Sequence, residues 1–207
     1  PMTTIKGFVD GILDGTIPPD MQNHYLQLVS EETGRLARLI QNMLDLSKLE
    51  SGEYQVNARM FNIWETLTGV ALSAEQRIND GMIDIDGLTM DEKVLVYADP
   101  DLIHQVAYNI LDNAIKYSAP GGRITVKLWA GEYKAFVEIL DQGRGIPPED
   151  LENVKTKFYK GSNSVRGSGI GLAVCEEIVT MHGGTLTLEN AEGGGTLVTI
   201  SIPTGEE

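Results

Sequence analysis

The spacing of apolar residues changes once along this chain, at Ser51-Gly52, and this change constrains the fold more than any other feature. Upstream, apolar residues recur every three or four positions, which is typical of helices. Downstream, helical segments alternate with short runs in which every second residue is apolar, as in half-buried strands. Fifteen of the 23 glycines lie after residue 120, so special backbone geometry concentrates there. The sequence therefore predicts a helical part followed by a mixed part.

We predict a helical hairpin for the upstream part. A first helix over residues 5–13 ends at Gly15 and Pro18-Pro19, and a second runs from Asp20 to about Leu49. The apolar stripe of the second helix consists of Met21, Tyr25, Leu28, Val29, Leu36, Leu39, Ile40, Met43, Leu46 and Leu49. This stripe is longer than the first helix, so either a second chain or this chain's own globular part must cover the rest.

We predict an α+β fold for the downstream part, a two-layer α/β sandwich. Helices are expected over residues 61–76, 99–118 and 169–181. Two hairpins, turning at Gly131 and at residues 193–195, are predicted by alternating apolar residues: Ile124, Val126, Leu128, Ala135, Val137 and Ile139, then Leu186, Leu188, Val198, Ile200 and Ile202. Because such hairpins build antiparallel sheets, the pattern disfavours a doubly wound parallel sheet.

Composition excludes several classes of function. The net charge of −14 disfavours a nucleic-acid surface, which needs a concentrated basic face. No stretch has the length of a membrane span, and no signal peptide is present, so we expect no direct membrane contact. Cys175 is the only cysteine and lies in an apolar run, where we expect a buried packing residue. A beginning at Pro1-Met2 suggests a piece of a longer protein.

One face of the 99–118 helix is polar and includes the segment Asn109-Ile-Leu-Asp-Asn113-Ala. At helical spacing this face carries Asn109, Asn113, Lys116 and Tyr117. Amide oxygens suit a hard cation that also binds phosphates, while an ammonium suits phosphate and an aromatic ring suits a base or ribose. Asparagine is a poor helix former, so two on one face favour a ligand site over local hydrogen bonding, which remains the alternative.

A carboxylate before a glycine turn forms the second motif, Asp141-Gln-Gly143-Arg-Gly145. A carboxylate at a strand end can accept a hydrogen bond from an exocyclic amine such as that of adenine, and glycines let the backbone approach a flat ring. An ordinary turn after a strand is the alternative, because aspartate and glycine are common turn residues.

The third motif, Gly167-Ser-Gly169-Ile-Gly171, opens the 169–181 helix, whose free N–H groups and positive dipole end suit phosphate. The polar segment before it looks like a lid carrying two cations, Lys160 and Arg166. A dinucleotide fingerprint is excluded, because no βαβ unit with a downstream acidic residue follows. A P-loop is excluded as well, since its Lys-Ser/Thr pair is missing.

In this order the motifs resemble the conserved boxes of sensor histidine kinases. Residues 109–117 resemble the N box, 141–146 the G1 box, 158–160 part of the F box, 167–172 the G2 box and 193–196 the last glycine motif. The first residues are similar to the stretch that follows the His-Glu-x-x-x-Pro segment, whose last residue matches Pro1. The resemblance implies that residues 1–52 belong to a dimerisation and histidine-phosphotransfer hairpin. It also implies that residues 56–207 form a GHKL-type catalytic ATP-binding domain.

The resemblance also implies roles for individual residues. Asn113 would be the principal magnesium ligand, and Asn109 would support metal or phosphate. Asp141 would accept a hydrogen bond from the adenine amine. Phosphate contacts would come from Lys116, Lys160 and Arg166. The other positions expected around ATP are Tyr117, Gly143, Gly145, Ile146, Gly167, Ser168, Gly169, Ile170, Gly171, Leu172 and Thr196.

As cofactors the family implies ATP and Mg²⁺, and as partners a response-regulator receiver domain and a second copy of the parent kinase. It implies a cytoplasmic location, within a parent that is a membrane-anchored sensor. The chain departs from the family at two points. The acceptor histidine would precede Pro1, and His24, His104 and His182 are expected to be ordinary surface or packing residues. The first F-box phenylalanine is replaced by Lys155, which removes a hydrophobic anchor of the lid.

Three functions are compatible with a nucleotide site of this kind. A histidine kinase core would pass the terminal phosphoryl group of ATP to a histidine and then to an aspartate of a response regulator. An ATPase of the gyrase or MutL branch would need a general base, and those relatives carry glutamate where this chain has Asn109, which cannot take a proton. A non-catalytic, nucleotide-gated interaction module is the third possibility, for which Lys155 is the only hint.

Overall fold

The computed structural model describes residues 2–52, 54–88, 93–161 and 169–205. The chain forms two compact units, Pro1–Ser47 and Lys48–Glu207. The first contains α1 (Met2–Leu13) and all but the last residues of α2 (Gln22–Glu50), which confirms the predicted hairpin. Within it, the ring of Phe8 meets that of Tyr25 edge-on, with 5.2 Å between ring centroids.

The apolar surface of the first unit is only partly covered. Helix α1 contains no buried residue. On α2, four large apolar side chains remain between 46% and 51% exposed: Leu26, Ile40, Met43 and Leu44. Two of them, Ile40 and Met43, belong to the predicted stripe. Among the described residues, no helix combines the length and apolar character needed to cross a bilayer.

The second unit is the predicted α+β sandwich. Its elements are β1 (Arg59–Asn62), α3 (Ile63–Ser73), α4 (Glu75–Asp80), β2 (Asp84–Asp86), β3 (Leu95–Ala98), α5 (Pro100–Tyr117), β4 (Arg123–Ala130), β5 (Lys134–Asp141), α6 (Pro148–Leu151), α7 (Gly171–Met181), β6 (Thr185–Asn190) and β7 (Thr196–Pro203). Five strands form one sheet in the order β2-β4-β5-β7-β6, and β1 pairs with β3 separately. Neighbouring strands are antiparallel except β2 and β4.

The core lies between α3, α5, α7 and one face of the large sheet. Both predicted hairpins form, and their alternating apolar residues on β4, β5 and β7 are at most 9% exposed. The apolar face of α5 is buried equally well, at residues Leu102, Val106, Ile110 and Leu111. On the opposite face of the sheet, Trp129 stacks on Phe136, its partner across β4 and β5, at 5.3 Å.

Two predicted helix boundaries are wrong. The helix expected over residues 61–76 begins two residues later, because Phe61 lies in β1 and Asn62 caps α3 by accepting a hydrogen bond from Trp64 N. That segment is also divided at Ala74, where α3 ends and α4 follows. The helix expected from residue 169 begins at Gly171, since Gly169 has a φ of +72°, which a helix cannot contain.

Candidate functional site

The carboxylate of Asp141 lies at the end of β5 in a buried position, with the residue 5% exposed. Its Oδ1 accepts hydrogen bonds from the backbone N–H of Gly143, at 2.7 Å, and of Thr196, at 3.2 Å. Burial raises the pKa of Asp141, and the hydrogen bonds from Gly143 and Thr196 oppose this effect. A buried carboxylate held in this way suits a ligand that donates a hydrogen bond.

Glycines bring three chain segments together around this carboxylate. A side-chain carbon on Gly143 would lie 2.5 Å from the carbonyl oxygen of Tyr117, at the end of α5. A side-chain carbon on Gly195 would lie 1.9 Å from the carbonyl oxygen of Asp141. These approaches are possible only without a Cβ atom. The structure thus brings together four residues that the sequence had placed in one site: Tyr117, Asp141, Gly143 and Thr196.

The Tyr117 ring lies beside two cations. The Lys116 ammonium is 4.7 Å from the ring centroid and also donates to the Tyr117 hydroxyl, at 3.3 Å. The Arg144 guanidinium is 5.5 Å from the same centroid. Cations at these distances are attracted to the face of an aromatic ring. Arg144 was missed by the sequence reasoning, although its place between two motif glycines could have indicated it.

Asn190 fixes the turn that follows Asp141. Its Oδ1 accepts from the backbone N–H of Ile146, and its Nδ2 donates to the carbonyl of the same residue, both at 2.7 Å. A side-chain carbon on Gly145 would lie 2.8 Å from this Oδ1. Asn190 closes β6, far from the turn in sequence, and no motif indicated it.

The second end of the site lies where α5 meets the beginning of α7. Asn109 projects from α5 toward Gly171, where an added side-chain carbon would lie 3.7 Å from its Oδ1. The Nδ2 of Asn109 is buried and meets no nitrogen or oxygen acceptor within the described part of the chain, but the Asn109 side chain does form a hydrogen bond that lowers the pKa of the buried Cys175 thiol. The first N–H groups of α7 have no partner within that helix. The free N–H groups at a helix N-terminus fit an anionic ligand.

The donor set also fits a cation that is shared with phosphates. Asn113 lies one turn beyond Asn109 on α5 and is half-buried. In the described ranges, no three His, Cys, Asp or Glu side chains are placed to hold a metal together. Mg²⁺ commonly takes few protein ligands and keeps waters and phosphate oxygens, so amide oxygens alone are compatible with it.

The other positions expected around the nucleotide differ in how much of their side chain is exposed. The side chain of Ile170 is fully buried and belongs to the core, so it offers a ligand only its backbone. Leu172 is half-buried on α7, and Lys160 is exposed. The carbonyl of Gly169 accepts a hydrogen bond from Phe158 N at 2.8 Å. Arg166, Gly167 and Ser168 lie outside the described residues.

His182 and Cys175 are packing residues, as expected. His182 Nε2 accepts from Asp99 N at 3.0 Å, so the neutral ring carries its proton on Nδ1, which lies 2.7 Å from the Ile178 carbonyl. Both ring nitrogens are therefore occupied. Burial raises the pKa of the Cys175 thiol to about 12, which makes it unreactive.

Comparisons with known proteins identify the family of this chain. The model of the Histidine kinase-, DNA gyrase B-, and HSP90-like ATPase family matches residues 98–206. The model of the His Kinase A (phospho-acceptor) domain matches residues 1–52. Two sensor histidine kinases of Bacillus subtilis (strain 168) are similar: WalK is 32% identical over 100% of this chain, and YclK is 34% identical over 98%. The chain spans only 35% of WalK and 44% of YclK.

Two solved structures share the fold over nearly the whole chain. Acinetobacter baumannii histidine kinase AdeS matches 100% of this chain and 96% of its own, with a TM-score of 0.80 and 26% identity. Histidine kinase ThkA, solved in complex with the response regulator protein TrrA, matches 99% of this chain and 58% of its own, with a TM-score of 0.81 and 27% identity. The chain therefore belongs to the histidine kinase-, DNA gyrase B- and HSP90-like ATPase family, and within it to the sensor histidine kinases.

Proposed function

We propose that residues 56–207 bind Mg-ATP and present its terminal phosphoryl group to a histidine, and that residues 1–52 contribute to the dimerisation and phosphotransfer hairpin. The observation that carries this proposal is Asp141, a buried carboxylate at a strand end whose pKa is raised by burial. A bound amine would supply a further hydrogen bond and offset the cost of burying the charge. The exocyclic amine of adenine meets this requirement.

The phosphates would lie at the beginning of α7, beside Asn109 and Asn113. The beginning of α7 at Gly171 supports this direction, because its first N–H groups have no side-chain cap and can donate to phosphate oxygens. Magnesium held by Asn113 and Asn109 would neutralise charge on the phosphates. Lys116 and Lys160 would add positive charge near them. Phosphoryl transfer depends mainly on positioning and charge stabilisation, which these groups provide.

Transfer is favoured over hydrolysis by the lack of a suitable base on the polar face of α5. Asn109 is an amide and cannot take a proton from water. The nearest carboxylate on that helix, Asp112, is paired with Arg77. An ATPase that activates water is therefore the weaker candidate.

The acceptor histidine would come from outside these 207 residues. His182 has both ring nitrogens engaged. His24 packs edge-on against Tyr25, at 5.7 Å. His104 is exposed in the first half of α5, on the side of the helix away from the apolar core. The phosphoryl group would then pass to an aspartate of a response-regulator receiver domain.

The parent protein would act as a homodimer on the cytoplasmic side of a membrane-anchored sensor. The half-exposed apolar residues of α2 support dimerisation, because a second hairpin would cover them: Leu26, Ile40, Met43 and Leu44.

A mixing experiment tests the proposed function. This chain is incubated with Mg²⁺ and ATP labelled at the terminal phosphate, together with the full-length protein carrying Asp141→Asn. We expect acid-labile, base-stable label on the full-length protein and none on this chain. As a control, the same mixture with Asp141→Asn in both proteins should give no label. Release of labelled inorganic phosphate without labelled protein would indicate an ATPase, and failure of this chain to bind ATP would contradict the site.

A further inference from the structure

Lys155 lies in the turn after α6 and contacts two elements of the second unit. Its Nζ donates to Glu176 Oε1 on α7 at 2.9 Å and to the carbonyl of Leu186 on the edge strand β6 at 3.1 Å. The side chains of Lys155 and Glu176 are 34% and 38% exposed, so solvent shields their attraction only in part. A polar junction therefore occupies the position where the sequence indicated the loss of a hydrophobic anchor.

After this junction the chain passes through Phe158 toward the end of the site where α5 meets the beginning of α7. We call this end, around Asn109 and Gly171, the phosphate end. Phe158 has a φ of +62°, a conformation that a non-glycine residue keeps only where its surroundings impose it. Its N–H donates to the carbonyl of Gly169 at 2.8 Å. A side-chain carbon on Gly169 would lie 2.9 Å from the carbonyl carbon of Phe158 and 2.6 Å from the backbone carbonyl oxygen of Tyr159. A shift of residues 158–159 would therefore displace Gly169, because their backbones are in contact.

We propose that Lys155 is a positioning residue for the phosphate end of the nucleotide site. Lys155 holds the turn before Phe158 against α7 and β6 and thereby sets the position of Gly169. Gly169 in turn sets the path of the backbone into Gly171, the first residue of α7. This inference rests on the proposed function. Lys155 acts through Glu176 and the Leu186 carbonyl. It should therefore affect affinity for the phosphates of ATP and leave binding of the adenosine part unchanged.

The test compares ATP with adenosine in Lys155→Met, which keeps the length of the side chain but removes the ammonium. We expect ATP to bind about fivefold more weakly and adenosine affinity to be unchanged, as measured by isothermal titration calorimetry. Lys127→Met is the matched control, because Lys127 is an exposed lysine on β4, and it should change neither affinity. Lys155→Arg, which keeps charged donors at this position, should restore ATP affinity.

A double-mutant cycle tests the route through Glu176. If Lys155 acts through that carboxylate, Lys155→Met with Glu176→Gln should weaken ATP binding no more than Lys155→Met alone. Additive losses would contradict the route. Equal losses of ATP and adenosine affinity, or no loss of either, would overturn the positioning role. Asp141→Asn separates the two proposals, because unchanged adenosine affinity in that variant would refute the nucleotide site itself.

Discussion

The two ends of the candidate site are built in different ways. We call the end around Asp141 the base end. There, backbone N–H groups of Gly143 and Thr196 hold the Asp141 carboxylate, and Gly195 packs so closely against the Asp141 carbonyl oxygen that a Cβ atom would not fit. These groups lie where β5 ends and β7 begins. The base end is therefore held mainly by backbone groups, and the exposed side chain of Asn190 adds two hydrogen bonds to Ile146.

At the phosphate end, side chains hold the chain in place. The Tyr159 hydroxyl donates to Asp150 Oδ1 at 2.5 Å, and the Lys155 ammonium reaches Glu176. Such contacts respond to substitution and salt more readily than a buried backbone network does. If ATP binds as proposed, backbone groups around Asp141 would determine base recognition, whereas a few side chains would adjust phosphate affinity.

The largest effect should follow a disturbance of the base end at Gly195. In Gly195→Ala the new carbon would overlap the Asp141 carbonyl oxygen, and the residue would also keep a φ of +97°. We expect a loss of more than about 3 kcal/mol in the free energy of unfolding, measured by urea denaturation. The matched control is Gly193→Ala, which has a φ of +93° and open space around it and should lose about 1 kcal/mol. Equal losses would show that the close approach is unimportant.

A second prediction uses the raised pKa of Asp141. Binding of an amine requires the ionised carboxylate, so adenosine affinity should fall as pH falls through that pKa, by at most about tenfold per pH unit. Stability should change in the opposite direction. Because the folded-state pKa is the higher one, the folded protein binds more protons between the two pKa values, and stability falls as pH rises through that window.

Titration calorimetry and urea denaturation across this pH range would measure both trends. In Asp141→Asn the two contributions should disappear, because the amide does not titrate. If the variant and the unaltered chain showed the same pH dependence of stability, the assigned origin of the effect would be wrong.

The smallest effect concerns the tyrosine contact at the phosphate end. Tyr159→Phe removes the hydroxyl that donates a hydrogen bond to Asp150. We expect ATP to bind about threefold more weakly and adenosine affinity to stay unchanged. Tyr133→Phe removes a hydroxyl from an exposed tyrosine and should change neither affinity, as measured by competition with a fluorescent nucleotide. A loss of adenosine affinity in Tyr159→Phe would break the distinction between the two ends.

Much of the sandwich could be predicted from the sequence, because long elements repeat a clear period. Helix α5 and the two hairpins carry enough apolar positions to determine both their type and their buried face. The short strands β1, β2 and β3 contain three or four residues each, too few for a period, and none was predicted. The start of α3 did carry a signal, since Asn62 with Glu65 three residues later is a capping pattern.

The site was predictable where its residues lie in one motif and less so where distant segments meet. Asp141, Gly143 and Tyr117 were found by spacing, and the structure brings them together. Asn190 and Glu176 act on turns far from them in sequence, so no local pattern could show their contacts. The burial of the Ile170 side chain could not be predicted from its motif, because burial in the core depends on the tertiary packing of α7.

If the chain binds ATP as proposed, Asp141 recognises the base independently of the phosphate end. Adenosine titrated calorimetrically into Asp141→Asn tests it most directly, because the amide oxygen can still accept from Gly143 and Thr196 while the charge is removed. We predict at least about a tenfold loss of adenosine affinity, with a free energy of unfolding no lower than that of the unaltered chain. Adenosine affinity within twofold of the unaltered value would show that Asp141 does not recognise the base.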